Sequence, residues 1–261
     1  MMEHIIKKIR EADMVLVGIG EELDALNEAR KFQDPPKESW MLPYIEKLKL
    51  QDIKEQKSLV YHSLAGWFGQ KNYFLVTLCQ DGLARECGLD EKRIVEPCGG
   101  YRKLQCSKKC SMDLYDLPEG LLWEIKNYME EAENTKPPVC PVCPLCNSPL
   151  VFNNIQAEEY VEEGYLNQWS VYRKWLQGTV NKKIVLLEVG VGMKYPTVIR
   201  WPFEKIVYYN QKAELFRIHS RIYQLTEEIR ERGSGICQNP EEFLKELSKG
   251  FQCVKLENGT K

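Results

Sequence analysis

The sequence predicts an α/β protein: a Rossmann-like, mostly parallel sheet with helices on both faces, carrying an inserted small zinc-binding module. Two observations lead there. Short runs that are apolar on both faces recur between helical segments, the pattern of strands buried inside a parallel sheet. Five of the ten cysteines also crowd between Cys106 and Cys146 at knuckle-like spacings. A chain of 261 residues with 43% hydrophobic content is long and apolar enough to bury a proper core.

Taken in order, residues 14–18 form the first strand and run into Gly18-Ile19-Gly20, with Glu21 and Glu22 at the expected start of a helix. Helical patterns over 23–32, 44–50 and 59–70 make an excursion spanning about 23–70. A second strand over 73–78 leads through a polar hinge and a short helix to the strand in RIVEP and a turn at Gly99-Gly100. From Gly99 to about Gly164 the rhythm breaks in favour of Cys, Pro, Asn and acidic residues, so the expected division is a sheet domain of 1–100 with 165–261 and an inserted module of 101–164. The acidic stretch at 130–134 is expected to be the solvated end of a helix, with the following prolines forcing an extended entry into the cysteine loop. Trp169, Tyr172 and Trp175 recur every three residues in a helix over 169–176, which makes them a face packed on the sheet rather than a base-stacking platform. Strands are expected at 184–189, 206–209 and 215–218. A last helix over 241–247 has Asn239 as N-cap and Pro240 at its first position.

A net charge of -2, with both signs spread along the chain, gives no bulk attraction to nucleic acid or an anionic membrane, and neither is expected as a partner. The apolar run from Met14 to Gly20 is too short for a membrane span or a signal peptide. The expectation is a soluble, cytoplasmic protein, in which clustered cysteines favour metal over disulfides. Cys143-Pro-Leu-Cys146 has zinc-knuckle spacing and pairs with Cys106 and Cys110, while Cys140 offers the same spacing one step earlier as the alternative ligand. Four thiolates leave no open position, so the zinc is expected to be structural. Cys87, Cys237 and Cys253 carry no pattern and read as ordinary thiols, His62 reads as a helix-face residue and His4 as a tail residue.

A strand-Gly-x-Gly-helix turn lets the backbone and the helix dipole meet a pyrophosphate. Here the third glycine of the dinucleotide fingerprint is missing and two carboxylates stand where phosphate would arrive. Carboxylates at a helix start stabilise it by about 0.3 to 1 kcal/mol each, so a well-capped helix is the competing reading.

The order of parts is more specific than any single one. A strand with a Gly-rich turn is followed by VTLCQDGL, by RIVEPCGGYRKLQC, by the cysteine cluster, by LLEVGVGMKYPTVIRWPF and by AELFRIH. In this order the chain resembles the sirtuins over almost its whole length, and NNIQAEEYVEEGY with EVGVGMKYPTVIRWPF is closest to the bacterial sirtuins associated with macrodomains, whose chemistry is protein ADP-ribosylation. The resemblance implies an NAD or ADP-ribose cleft lined by Gly18, Gly20, Glu21, Thr77, Asp81, Gly190, Gly192 and His219. It puts Cys79 where an Asn orients the nicotinamide ribose, Cys98-Gly99 where the family has His-Gly, and Gln156 where the macrodomain-associated branch has an Arg. It also implies a protein partner, either an acylated or lipoylated protein or another protein.

Each of those three positions has lost the family's residue, Gly190-Val191-Gly192 lacks the two hydroxyls of the family's Gly-Thr-Ser turn, and His219 replaces an Asn. A thiol with a pKa of about 8.5 is a better nucleophile than general base, whereas His titrates near the operating pH. Cys79 and Cys98 could meet as a redox pair, or serve as small apolar fillers. Asp81 could hold the carboxamide or cap the short helix that follows it. Three functional classes remain: a catalytically weak or silent nucleotide- or partner-binding protein, which the losses favour; an active divergent ADP-ribosyltransferase, deacylase or NAD hydrolase; and an interaction protein with a collapsed pocket.

Overall fold

The computed structural model describes residues 1–31, 38–68, 71–86, 88–131 and 136–258. Phe32, Gln70, Cys87 and the end of the acidic stretch, at 132–134, lie outside the described residues. Six strands form one parallel sheet: β1 (Met14–Ile19), β2 (Asn72–Thr77), β3 (Ile94–Val95), β7 (Ile184–Val189), β8 (Ala213–His219) and β9 (Gly233–Cys237), in the order β3-β2-β1-β7-β8-β9. β1 and β7 are buried at every position, as strands covered on both faces must be.

Alternate side chains of β1 divide the core in two. Val15, Val17 and Ile19 pack under α1 (Met2–Glu11), α3 (Leu42–Phe68) and α8 (Pro240–Asn258). Met14 and Leu16 face α6 (Glu163–Gln177) and α7 (Arg200–Tyr209), where Tyr172, Phe203 and Val207 are buried. Tyr172 and Trp175 lie against Phe74 of β2, with ring centroids 5.1 and 5.7 Å away, so the Trp169 series is a packing face. The Asn239 side chain caps α8 by accepting from the backbone N–H of Glu241 at 2.9 Å and of Glu242 at 3.1 Å.

Several elements differ from the sequence expectation. Residues 206–209 end helix α7 instead of forming a strand: Phe203 and Val207, four apart, turn into the core while Tyr208 is exposed. A short apolar run has no period of its own, and tertiary packing decides. The two helices expected at 44–50 and 59–70 are the single 27-residue α3, because the polar stretch between them holds Lys, Glu and Gln, good helix formers, and no Gly or Pro. Glu21–Leu23 is one turn of 3-10 helix, with α2 (Leu26–Ala29) after it, so no long helix begins at the Gly-rich turn. β9 escapes a sequence reading because it opens Gly-Ser-Gly, a poor strand former; a Cβ at Gly235 would lie 2.2 Å from the Tyr223 carbonyl oxygen. His4 belongs to α1 and reaches Glu214 at 3.2 Å, so it is not a loose tail residue, and His62 is an exposed residue of α3.

A second, three-stranded antiparallel sheet in the order β5-β4-β6 consists of β4 (Gly99–Cys106), β5 (Leu114–Tyr115) and β6 (Leu150–Asn154), with α4 (Leu83–Glu86) before it and α5 (Leu121–Glu130) within it. Gly99 opens β4 with a left-handed φ of 64°, and a Cβ there would stand 2.2 Å from the Asn153 carbonyl oxygen.

Candidate nucleotide crevice and metal centre

The chain leaves β1 toward β2 on one side and returns through β7 on the other, so the strand order reverses between β1 and β7. In open parallel sheets this is where ligands bind, beyond the carboxyl ends of the strands. The turns that meet there hold Gly18–Gly20, Thr77–Asp81, Gly190–Gly192 and His219, so the structure brings these sequence-selected residues to one edge.

The two glycines of the first turn have packing reasons. A Cβ at Gly18 would come within 2.5 Å of Ile199, just before α7. At Gly20 it would lie 2.2 Å from both the Gly190 oxygen and the Val191 Cα, so only Gly lets the turns after β1 and β7 touch. Backbone bonds join these turns, Gly20 N to Val189 O at 2.8 Å and Glu22 N to Gly190 O at 3.1 Å.

Both carboxylates turn into the crevice region. Glu21 lies against Gly192, where a Cβ would be 2.2 Å from its Oε1, and its Oε2 is buried with no hydrogen-bond partner. Glu22 Oε2 accepts the Ser220 N–H at 3.1 Å, and the Ser220 hydroxyl donates to Oε1. Glu22 Oε2 also stands 3.2 Å from His219 Nδ1, but that nitrogen accepts the N–H groups of Arg221 and Ile222 at 3.0 and 3.2 Å. A ring nitrogen occupied as an acceptor cannot also donate, so this contact is not an ion pair in the neutral ring; burial lowers the His219 pKa and favours that form.

On the β2 side, Thr77 Oγ1 accepts the Cys79 N–H at 3.0 Å. The Cys79 thiol is buried, 3.3 Å from the Gly20 oxygen and 3.7 Å from the Tyr61 hydroxyl, and burial raises its pKa well above the usual range. Asp81 and Asp24 clasp the loops reciprocally. Asp81 accepts the N–H of Ala25 and of Leu83, each at 2.9 Å, while Asp24 accepts those of Gln80 and Leu26, each at 3.1 Å. Asp81 thus caps α4 and binds the first loop with the same carboxyl. Burial, then Asp24, pushes it up to about 8.

Cys98 lies in the opposite core from Cys79, and both are free thiols, so the pair does not form a disulfide. The Cys98 thiol is pushed up to about 12, by burial first and then by Glu21 and Asp24. Gln156 is exposed on the loop after β6, its N–H bonded to the Asn154 side chain at 2.9 Å.

Sequence reasoning missed Asp24, Tyr61, Ser220 and the charges beneath the crevice. Glu188 and Arg217 carried a legible signal: each is a charge inside an otherwise apolar strand, and they are register partners in the β7–β8 ladder. Buried charges come paired.

In the smaller sheet, Cys106, Cys110, Cys143 and Cys146 bring their sulfurs within 4.8 Å of one another. Cys106 and Cys146 are 3.5 Å apart, as are Cys110 and Cys143. Four thiolates about 2.3 Å from a tetrahedral zinc stand roughly 3.8 Å apart, so the donor set fits that ion. Hydrogen bonds from Ser148 lead the lowering of the Cys146 thiol to about 6, which favours the ligating thiolate. Cys140 stands outside this cluster.

The parallel sheet, its crevice and the four-thiol knuckle define a sirtuin-fold protein. A solved Sir2 with p53 peptide and NAD+ matches at a TM-score of 0.55 and 13% identity, over 97% of this chain and 99% of that one. A Sir2 with an inhibitor, 2'-O-acetyl-ADP-ribose and deacetylated p53 peptide matches at 0.55 and 14%, over 96% and 99%. Among curated proteins, a "Probable bifunctional ADP-ribose hydrolase/ADP-ribosyltransferase" of Fusarium oxysporum f. sp. cubense is 28% identical over 157 residues, 56% of this chain and 26% of the relative. A "Protein ADP-ribosyltransferase" of Staphylococcus aureus is 24% identical over 177 residues, 66% of this chain and 55% of the relative. The chain thus spans about a quarter of the first relative's length and about half of the second's. No protein-family profile matches it. Among the described residues no helix is long and apolar enough to cross a membrane.

Proposed function

We propose that this chain binds ADP-ribose or NAD in the crevice at the carboxyl edge of its sheet and does not cleave the bond to nicotinamide. The observation that carries this is the state of the two thiols at the reacting positions. Steps that draw a proton from a ribose hydroxyl need an acceptor near neutral pH, and burial raises the Cys98 thiol to about 12, so it stays protonated there and does not serve as that base. Cys79 is buried and raised as well, with Tyr61 and Gly20 as its partners. In this reading residues 101–164 are a zinc-stabilised module beside a cytoplasmic nucleotide-binding body of 1–100 and 165–261. The partner in this reading is a protein, acylated or lipoylated or otherwise, held for recognition and not for turnover.

A second reading, an active ADP-ribosyltransferase, deacylase or NAD hydrolase, is favoured by the names of the two curated relatives. Calorimetry with ADP-ribose and NAD, run beside a nicotinamide-release assay, separates the two. Binding of either ligand without nicotinamide release is expected, and Cys98→His alone is expected to gain no activity because Cys79 and Gln156 stay unchanged. Release of nicotinamide that is lost in Cys98→Ala would establish the enzyme instead.

A further inference from the structure

We propose that Arg200, backed by Glu188, is the positioning residue that sets the spacing between the turn after β7 and the segment after β8, and so the shape of the crevice where a nucleotide would lie. The link to a nucleotide rests on the proposed function; the link to the two loops rests on geometry. Arg200 is the first residue of α7 and only 6% exposed. Its Nη2 donates to the Val191 oxygen at 2.7 Å and to the Ile222 oxygen at 2.8 Å. Val191 is the middle of the Gly190–Gly192 turn, and Ile222 lies three residues past His219 at the end of β8. One nitrogen therefore ties both walls together from the buried side, while Glu22 ties the loop after β1 to Ser220 of the same segment on the exposed side.

Nη2 has two hydrogens and both are spent on carbonyls, so Glu188 Oε1, 3.3 Å away, acts chiefly as the countercharge. Glu188 is fully buried and takes Arg217 through two bonds, Nε to Oε1 at 2.7 Å and Nη2 to Oε2 at 3.0 Å. Arg217 in turn donates from Nη1 to the Gln224 oxygen at 2.8 Å, which fixes the segment after β8 at a second point, and meets Glu204 at 2.8 Å. A cluster of two acids and two bases in which only Glu204 is partly exposed is a poor way to gain stability, since apolar residues of the same volume often do as well or better. Its outward bonds all end on backbone carbonyls of the crevice walls, which apolar residues could not grip.

The test compares wild type with Arg200→Met, Arg200→Lys and Glu188→Gln, reading amide hydrogen exchange of the free protein at residues 190–193 and 220–225 and ADP-ribose affinity by calorimetry. Zinc content and exchange in β1 and β2 report on folding. Arg200→Met leaves Glu188 paired to Arg217; it is expected to speed exchange in both segments at least tenfold, leave β1 and β2 unchanged and weaken ADP-ribose binding at least tenfold. Arg200→Lys, which keeps the charge and donors but not the planar fork, is expected to recover part of both effects. Should Arg200→Met not fold, Arg200→Lys and Glu188→Gln are expected to show smaller changes in the same two segments. Wild-type exchange there in every folded variant overturns the proposal, as does ADP-ribose binding by Arg200→Met at wild-type affinity. A wild-type protein that binds neither ADP-ribose nor NAD removes the proposed function instead, and the exchange rates still decide the role of Arg200.

Discussion

Glu22 reaches across the carboxyl edge of the sheet to Ser220, accepting its backbone N–H at 3.1 Å and its hydroxyl, and so clasps the loop after β1 to the loop after β8. Its neighbour Glu21 has no such tie: Oε2 is buried without a partner. The two carboxylates are adjacent in sequence but differ in what binding must displace.

Glu21→Ala is therefore expected to raise ADP-ribose affinity, since two like charges about 4 Å apart cost roughly 1 kcal/mol in water and more in a cleft, or about fivefold in Kd. Glu22→Ala is expected to bring no comparable gain and to lower stability by about 1 to 2 kcal/mol, because it breaks charge-assisted bonds. Calorimetry and thermal melts of the two single variants measure this. Equal gains from both would show that Ser220 does not hold Glu22 in solution.

The thiols should separate by burial. Cys237 is exposed, whereas Cys79 and Cys98 are 1% and 2% exposed with raised pKa values. The thiolate is the reactive form. With zinc bound, alkylation at pH 7 is expected to label Cys237 first and to reach Cys79 and Cys98 only on unfolding. Mass spectrometry of timed quenches reads the order, and early labelling of Cys98 would mark an activated thiol.

Asp81 makes stability depend on pH in a stated direction. Its carboxyl is raised to about 8 in the folded protein, by burial first and Asp24 next, against about 3.9 in an unfolded chain. The native state holds the proton more tightly, so this contribution is full below about pH 4 and is lost as pH rises toward 8. Each pH unit between folded and unfolded values is worth about 1.4 kcal/mol, and 1 kcal/mol moves Tm by roughly 2 to 4 °C at this chain length. Wild-type Tm is expected to fall between pH 5 and 8, and Asp81→Asn to fall less. Parallel profiles for the two proteins would mean that the Asp24–Asp81 clasp carries no shared proton.

Metal removal should act on the smaller sheet. One zinc per chain is expected, held by Cys106, Cys110, Cys143 and Cys146. Cys143→Ser or a strong chelator should strip it and speed amide exchange in β4 and β6, because ligand binding free energy here is folding free energy. Cys140→Ser, outside the cluster, should keep the metal. A metal-free protein with an unchanged melt would end the zinc assignment.

Residue order alone carried β1, β2, β7 and β8, because strands buried on both faces show as largely apolar runs, interrupted by Glu188 in β7 and by Glu214, Arg217 and His219 in β8. It carried the Asn239 cap and the four clustered cysteines too, since caps and knuckles are local patterns of residue type and spacing. It left open whether the Gly-x-Gly turn takes a phosphate or opens a well-capped helix. Tertiary structure adds a packing reason for both glycines: Gly18 makes room for Ile199 and Phe203 at α7, and Gly20 for the turn after β7. Those contacts join residues about 170 to 180 positions apart, and the Glu22–Ser220 clasp joins residues 198 apart; the grip of Arg200 on Val191 and Ile222 is nearer in sequence but crosses two loops. No short-range period encodes them. Which of two adjacent carboxylates is tied, and which thiol faces which core, is decided only when the sheet closes and strands distant in sequence become neighbours.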